Sequence, residues 1–310
     1  MFVSLLYSLI IQMAVLSTPV CDVSQDNGTV NCIDRLRIGA WNMHCNADIA
    51  GPFLNDMAKY CHIIVTSEHG LYDNELYKLD HIVPRYKSYA LPSSHRAGIG
   101  GTAILWNSEL FAFRIKPLPG ISSDRMTVIE LQADDAVYFI ISVYLPHQTC
   151  NISDFDVELN KLKKILDECM LRGHCIILGD TNVHFPAGYD IRTWGIQNRN
   201  TPKLHSLVQS YDMYIADIGY KAHGPNITYR GGNGSSYVDH IIVPKCLIPK
   251  ITDCFVSGDC ISNVSDHSPV CIELAVSINV SFSSDLNGRR VAWSKMTAGE
   301  IHDTYTEPLE

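Results

Sequence analysis

Apolar runs ending in short polar turns alternate along this chain with segments of helical period. "RLRIGAWNMH" (35–44) predicts a strand, "NADIAGPFLNDMAKY" (46–60) an amphipathic helix, and "CHIIVTSEHGL" (61–71) a second strand with a polar tip. "GIGGTAILWN" (98–107), "RMTVIELQ" (125–132) and "AVYFIISVYLPH" (136–147) are β-rich runs divided by turn residues, a spacing that predicts an antiparallel meander. The clearest helix is "SDFDVELNKLKKILDECMLRG" (153–173), with Ser153 at the N-cap position, apolar residues at 155, 159, 162, 165, 166 and 170, and Gly173 closing it. A strand over 174–179 then runs into the turn "GDTN". Residues 203–217 read as a helix leading into a short strand, and "ITYRGGNGSSYVDHIIVP" (227–244) as a hairpin around a Gly/Asn/Ser turn. "SDHSPVCIELAVSI" (265–278) ends the folded part. The alternation predicts an α/β domain over 35–280, flanked by an apolar segment (1–34) and a C-terminal connector (281–310) with a helix start at Thr297.

Composition narrows the function classes. The 310 residues are 46% hydrophobic, enough for a sizeable core, and the net charge is -9, so no global basic field draws the chain onto phosphate backbones. A nucleic-acid substrate would have to be held by local cations, for which Arg96, Arg125, Arg192, Arg199, Lys203 and Arg230 are candidates. Eleven cysteines with no C-x-x-C pair and no zinc-site spacing predict mostly buried thiols. A secreted, disulfide-bonded protein is the competing reading. "MFVSLLYSLIIQMAVLSTPV" (1–20) resembles a signal peptide without its positive start, and sequons stand at Asn27, Asn151, Asn226, Asn233, Asn263 and Asn279. Ser4, Ser8, Gln12 and Ser17 interrupt that segment, so no stable membrane span is expected.

The candidate chemistry recurs at strand ends. Asn42 follows "IGAW", Glu68 follows "IIVTS", Tyr144 closes "ISVY", Asp180 and Asn182 follow "IILG", Asp239 precedes "HIIV", and Asp266 with His267 precedes "SPVCIEL". A strand tip is a rigid support from which a side chain is aimed into a common cleft. This set is rich in oxygen donors and poor in thiols, which favours Mg2+, with Mn2+ as the alternative ion, and a His beside an Asp suits general-base work on water. The inventory points to metal-assisted hydrolysis of a phosphate ester.

In order, "WN" (41–42), "SEHGL" (67–71), "VYLPH" (143–147), "LGDTN" (178–182), "SYVDHI" (236–241) and "SDHSP" (265–269) resemble the motifs of the endonuclease/exonuclease/phosphatase, or DNase I-like, superfamily. Within it the chain most resembles the apurinic-type endonuclease domain of LINE-type non-LTR retrotransposons. "GIGGTAILW", "VYLPH", "ITYR" and the tail "VAWSKMTAGEIHDTYTEPLE" support this, the tail being similar to the connector that precedes a reverse transcriptase domain. The resemblance implies a four-layer α/β sandwich of two packed, mainly antiparallel sheets flanked by helices, and a Mg2+-dependent endonuclease acting on DNA. It implies Glu68 as metal ligand, with Asn42 and Asp266 helping to hold the ion. His267, oriented by Asp239, would be general base or phosphate-contacting imidazole. Asp180 would handle a proton, and Asn182 and Tyr144 would contact the scissile phosphate.

The sequence departs from that pattern at three places. Thr181 stands where an aromatic residue is usual, His44 where many relatives carry an acid, and His240 where Tyr is commoner. Two other readings stay open: a secreted DNase or lipid/inositol phosphoesterase of the same superfamily, and a catalytically dead, DNA-binding remnant. Localisation divides accordingly between nuclear or intracellular and secreted. His44, His69, His147 and His184 receive no role.

Overall fold

The computed structural model describes residues 31–93, 100–185, 198–232 and 234–280. The first strand, β1 (Asn31–Asn42), leads through a short helix α1 (Gly51–Met57) into β2 (Ile63–Ser67), and helix α2 (Tyr77–Ile82) precedes β3 (Tyr86–Leu91) and β4 (Thr102–Asn107). Strands β5 (Ile115–Pro117), β6 (Met126–Gln132) and β7 (Val137–Tyr144) are followed by the long helix α3 (Ile152–Cys169) and β8 (His174–Asp180). Helix α4 (Thr201–Ser210) then leads to β9 (Met213–Ile215), β10 (Ala222–His223), β11 (Tyr229–Gly231), β12 (Gly234–Ser236), β13 (Asp239–Pro244), β14 (Ile251–Val256) and β15 (Val270–Val280).

These strands form two large mixed sheets and one small hairpin. The first sheet has the order β10-β14-β15-β1-β2-β4-β3, the second β5-β6-β7-β8-β13-β9, and β11 pairs with β12. Pairs β1–β2, β7–β8 and β10–β14 are parallel, and most of the others are antiparallel.

The first sheet explains why its strands read as continuous apolar runs rather than as alternating ones. Leu36, Ile38, Ala40, Ile63, Val65 and Ile104 face inward and share one core with β6, β7, β8, β13 and helix α3. Trp41, Ile64, Ala103 and Leu105 point the other way, into a second core with Phe53, Leu54 and Met57 of α1 and Leu79 of α2. A strand buried on both faces has no polar side to alternate with. On the far side of the second sheet, α3 packs Phe155, Leu162, Ile165 and Leu166, the stripe its 3.6-residue period predicts.

Three details differ from the sequence reading. The runs at 98–107, 125–132 and 136–147 are not one meander, because β4 pairs with β2 and β3 in the first sheet whereas β6 and β7 form a hairpin in the second. Helix α3 begins earlier than Ser153: Asn151, with extended backbone, is the N-cap, and Ser153 lies within the first turn. The helix also ends at Cys169, and Gly173 is needed instead where the chain crosses β7, since a Cβ there would come 2.2 Å from the Val137 carbonyl oxygen. The hairpin of 227–244 is real but small, and its second run continues past β12 into β13 of the second sheet. The tail with Thr297, the segment 1–30, Arg96, Arg192 and the sequons at Asn27 and Asn233 lie outside the described residues.

Candidate active site

Register brings the strand tips together. Parallel pairing sets Asn42 beside Ser67, so Glu68 emerges one residue beyond the same edge. In the second sheet Tyr144 aligns with Asp180, and Asp180 with Asp239. The sheets are joined near this end by buried polar contacts, Thr102 Oγ1 to Thr127 Oγ1 (2.7 Å) and Ser142 Oγ donating to the Thr66 carbonyl (3.1 Å). The next contact of this seam is the site itself: Asn42 Nδ2 donates to Glu68 Oε2 and to Asp180 Oδ2, each at 3.0 Å.

The loop before β15 supplies the rest. Ser265 Oγ donates to the Asn42 carbonyl (2.7 Å) and accepts the His267 N–H (3.0 Å), so one hydroxyl fixes this loop against β1. Trp41 Nε1 donates to the His267 carbonyl (3.2 Å), as does Asn263 Nδ2 (2.8 Å). His267 is thereby presented to Asp239, whose Oδ2 lies 2.8 Å from Nδ1. Asp180, Asp239 and His267 are all buried and each offers an atom within 4.8 Å of the others. Asn182 holds the turn after β8: its N–H donates to Asp180 Oδ1 (2.9 Å) and its Nδ2 to the Leu145 carbonyl (2.8 Å).

Backbone strain concentrates here. His44 (φ 48°), Cys45 (φ 59°), Glu68 (φ 53°) and Asn182 (φ 51°) all occupy the left-handed region that non-glycine residues avoid. Conformations of this kind cost about 1–3 kcal/mol each and persist where the surroundings over-determine them, most often at functional sites.

Electrostatics divide the buried groups into roles. Burial, reinforced by the charge of Asp239, pushes the Asp180 carboxyl up to about 7. Burial pulls the His267 imidazole down, but Asp239, Asp180 and Asp266 outweigh it and hold the group up at about 9. Burial and then the charges of Glu68 and Asp180 raise the Tyr144 phenol far above its ordinary value, so it remains a donor at neutral pH. Arg125 lies over the Tyr144 ring, 5.1 Å from its centre.

All eight predicted site residues thus meet at one end of the two sheets. The proposed cationic rim is less coherent: Lys203 pairs with Asp156 (2.6 Å), Arg230 with Asp259, and Arg199 donates to the Cys150 carbonyl. Arg125 lies over the Tyr144 ring, and Arg230 meets a predicted site residue through its backbone N–H, which donates to the Asp266 carbonyl (2.8 Å). Two supports have no signal in the sequence. Thr228 Oγ1 accepts the N–H groups of Val238 (3.0 Å) and Asp239 (3.1 Å). Asp217 accepts the Ile241 N–H (2.6 Å) and holds His240 Nδ1 (2.8 Å), while His240 Nε2 reaches the Val183 carbonyl (3.1 Å). His240 is therefore a buried strut on the opposite face of β13 from Asp239. His69, buried and lowered to about 4 by burial, accepts the Leu71 N–H and donates to the Leu91 carbonyl, a loop histidine with satisfied partners.

The fold is shared with known proteins. A family model described as "Endonuclease-reverse transcriptase" matches residues 138–271, the stretch from β7 to the start of β15. The chain is similar to that family over this stretch, which lies within a domain of DNase I-like fold. In three dimensions this domain is similar to the AP endonuclease LMAP of Leishmania major (TM-score 0.63, 12% identity, 78% of this chain and 88% of that one). It is similar also to the endonuclease domain of TRAS1, a telomere-specific non-LTR retrotransposon (TM-score 0.57, 13% identity, 77% and 98%), and to the catalytic domain of Xenopus laevis APE2 (TM-score 0.59, 17% identity, 79% and 93%). No curated protein matches the chain in sequence. Two packed mixed sheets with flanking helices are what the sequence resemblance implied.

Proposed function

We propose that the chain is a divalent-metal-dependent DNA endonuclease that nicks a target strand and leaves a 3′-hydroxyl, as a retroelement requires before reverse transcription. The observation that carries this reading is the buried Asp239–His267 pair, 2.8 Å apart, set against Asp180 and joined through Asn42 to Glu68. The residues fit a hard cation. Glu68, Asp266 and Asn42 would hold it through oxygen atoms, and Asp266 Oδ1 is shut off from water without accepting a hydrogen bond. Mg2+ is the expected ion. When bound, it supplies positive charge to the phosphoryl oxygens as they gain negative charge in the transition state.

The chain's own groups do the remainder. Asp239 orders the His267 ring through Nδ1, which leaves Nε2 for the substrate, and the raised proton affinity of His267 makes it a cationic donor to a phosphate oxygen rather than a base. Asp180, with its proton affinity raised to about 7, takes the proton from the attacking water. The water oxygen bonds to phosphorus, the bond to the 3′ oxygen breaks, and that oxygen takes up a proton from solvent water as it leaves. Tyr144 and Asn182 contribute neutral donors beside the phosphate. DNA is the substrate proposed, with a reverse transcriptase domain as partner in a complete element. Among the described residues no helix is long and apolar enough to cross a membrane.

Asn263 weighs against a glycosylated, secreted form. Its Nδ2 donates to the His267 carbonyl and its Oδ1 accepts the Ser265 N–H (3.0 Å), so a glycan on Nδ2 would be seated directly against the active-site loop. The deciding experiment is nicking of supercoiled plasmid by the full chain with Mg2+ and with EDTA, beside His267→Ala. Relaxation that needs the ion and disappears in the variant supports the reading. A folded protein that binds plasmid and never nicks it would be the dead remnant.

A further inference from the structure

A second buried aspartate–histidine pair stands behind the first. Asp217, in the turn after β9, and His240, next to Asp239 on β13, are both shut off from water, and Asp217 Oδ2 lies 2.8 Å from His240 Nδ1. The other ring nitrogen, Nε2, lies 3.1 Å from the Val183 carbonyl, which can only accept. Nε2 therefore carries a proton. Nδ1 faces a carboxylate whose Oδ1 accepts the Ile241 N–H (2.6 Å), so a second proton on the ring satisfies every polar atom of the pair with the acid ionised. The pocket suits a cation. The Tyr237 ring is centred 5.4 Å from the imidazole and tilted by 30°, within cation–π range, and Phe185 closes another side at 4.9 Å. The Tyr237 phenol is engaged by the Asp217 carbonyl (3.0 Å). Burial opposes the charge, but Asp217, the Val183 carbonyl and, from the other face of the strand, Asp239 outweigh it and raise the proton affinity of the ring.

We infer that His240 is an imidazolium at neutral pH and a positioning residue of the active site, tying the turn that carries Asp180 and Asn182 to the strand that carries Asp239. This rests on the function proposed above. Nε2 grips Val183, the residue after Asn182, while Asp217 holds the Ile241 N–H two residues beyond Asp239. Its charge also acts on chemistry, because a cation behind β13 favours the ionised Asp239 that orders His267.

The test is nuclear magnetic resonance of the full chain with 15N-labelled histidine. Both His240 nitrogens should carry protons between about pH 6 and pH 8. In Asp217→Asn only Nε2 should, because the carboxamide keeps an acceptor for Ile241 and turns a donor toward Nδ1. This variant keeps the shape of the pair and removes its charges. It should lower kcat for plasmid nicking by about tenfold or more, leave KM for DNA within about twofold, and shift the His267 Nδ1–H resonance, which a simple loss of stability would not move. His240→Gln, a second variant that keeps a donor for Val183 without the charge, should show the same fall in kcat. A single protonated nitrogen on wild-type His240 at about pH 7 would overturn the imidazolium. Folded variants with wild-type kcat and an unshifted His267 signal would overturn the positioning role. A wild type that never nicks would overturn the proposed function instead, and the His240 and His267 resonances would still decide this inference.

Discussion

Thr228→Val is the sharpest probe of how the site is held. The substitution keeps shape and volume and removes one hydroxyl, which accepts the N–H groups of both Val238 and Asp239. Thr228 is buried, and its backbone ties two further segments: its N–H donates to the Ser236 carbonyl (2.9 Å) and its carbonyl accepts the Ser268 N–H (2.7 Å). Two buried N–H groups would lose their acceptor, at about 1–3 kcal/mol each, or about 2–6 kcal/mol together. Domains are stable by only about 5–15 kcal/mol, so this is a large fraction of the whole. At roughly 2–4 °C per kcal/mol for a domain of this size, the thermal midpoint should fall by about 4–24 °C in scanning calorimetry. Thr228→Ser, which retains the oxygen, should recover most of the loss. A Thr228→Val midpoint within 2 °C of wild type, on the order of measurement scatter, would refute the claim that this hydroxyl anchors Asp239.

Two further outcomes follow from the same geometry. Asp239→Asn keeps the shape of the pair and removes the charge that orients and protonates His267, so nicking should fall by about 10²–10⁴-fold with plasmid binding retained; an unchanged rate would remove Asp239 from the mechanism. His69 gives a stability test with a defined sign: it is neutral in the folded chain until about pH 4, so the unfolded chain binds its proton first as pH falls from about 6.5 and stability is lost across that window. Asp180 and His267, with raised proton affinities, act in the opposite sense, so the effect is read as a difference. Between pH 7 and pH 4 the wild type should lose about 3 kcal/mol more than His69→Gln in urea unfolding, and parallel curves would show that the imidazole is not excluded from water as described.

The tips of the strands were legible because a polar residue ending an apolar run stands out, and because six such tips occur in one order. What stayed hidden was pairing. The run holding Thr102 and the run holding Met126 have the same β-rich character, yet they belong to different sheets, a choice made by the packing of both faces of β4 and not by local pattern. Residues that act through one oxygen were equally silent: Thr228 and Ser265 look like ordinary turn residues until the backbone groups they satisfy come near. His240 was noticed as a departure, but its purpose depends on Asp217, which arrives from 23 residues away. Ser153 was misplaced because capping depends on where the backbone leaves extended geometry, and that happened at Asn151.

The hydrogen bond from Asn42 to Asp180 joins a residue of the first sheet to one of the second, 138 positions apart. No half of the molecule therefore holds a working centre: the first sheet contributes Asn42 and Glu68, the second Tyr144, Asp180 and Asp239, and His267 comes only from the loop before the last strand. During synthesis these groups can meet only after both sheets and the loop before β15 have been made, so under the proposed function a chain cut short of that loop would lack part of its site.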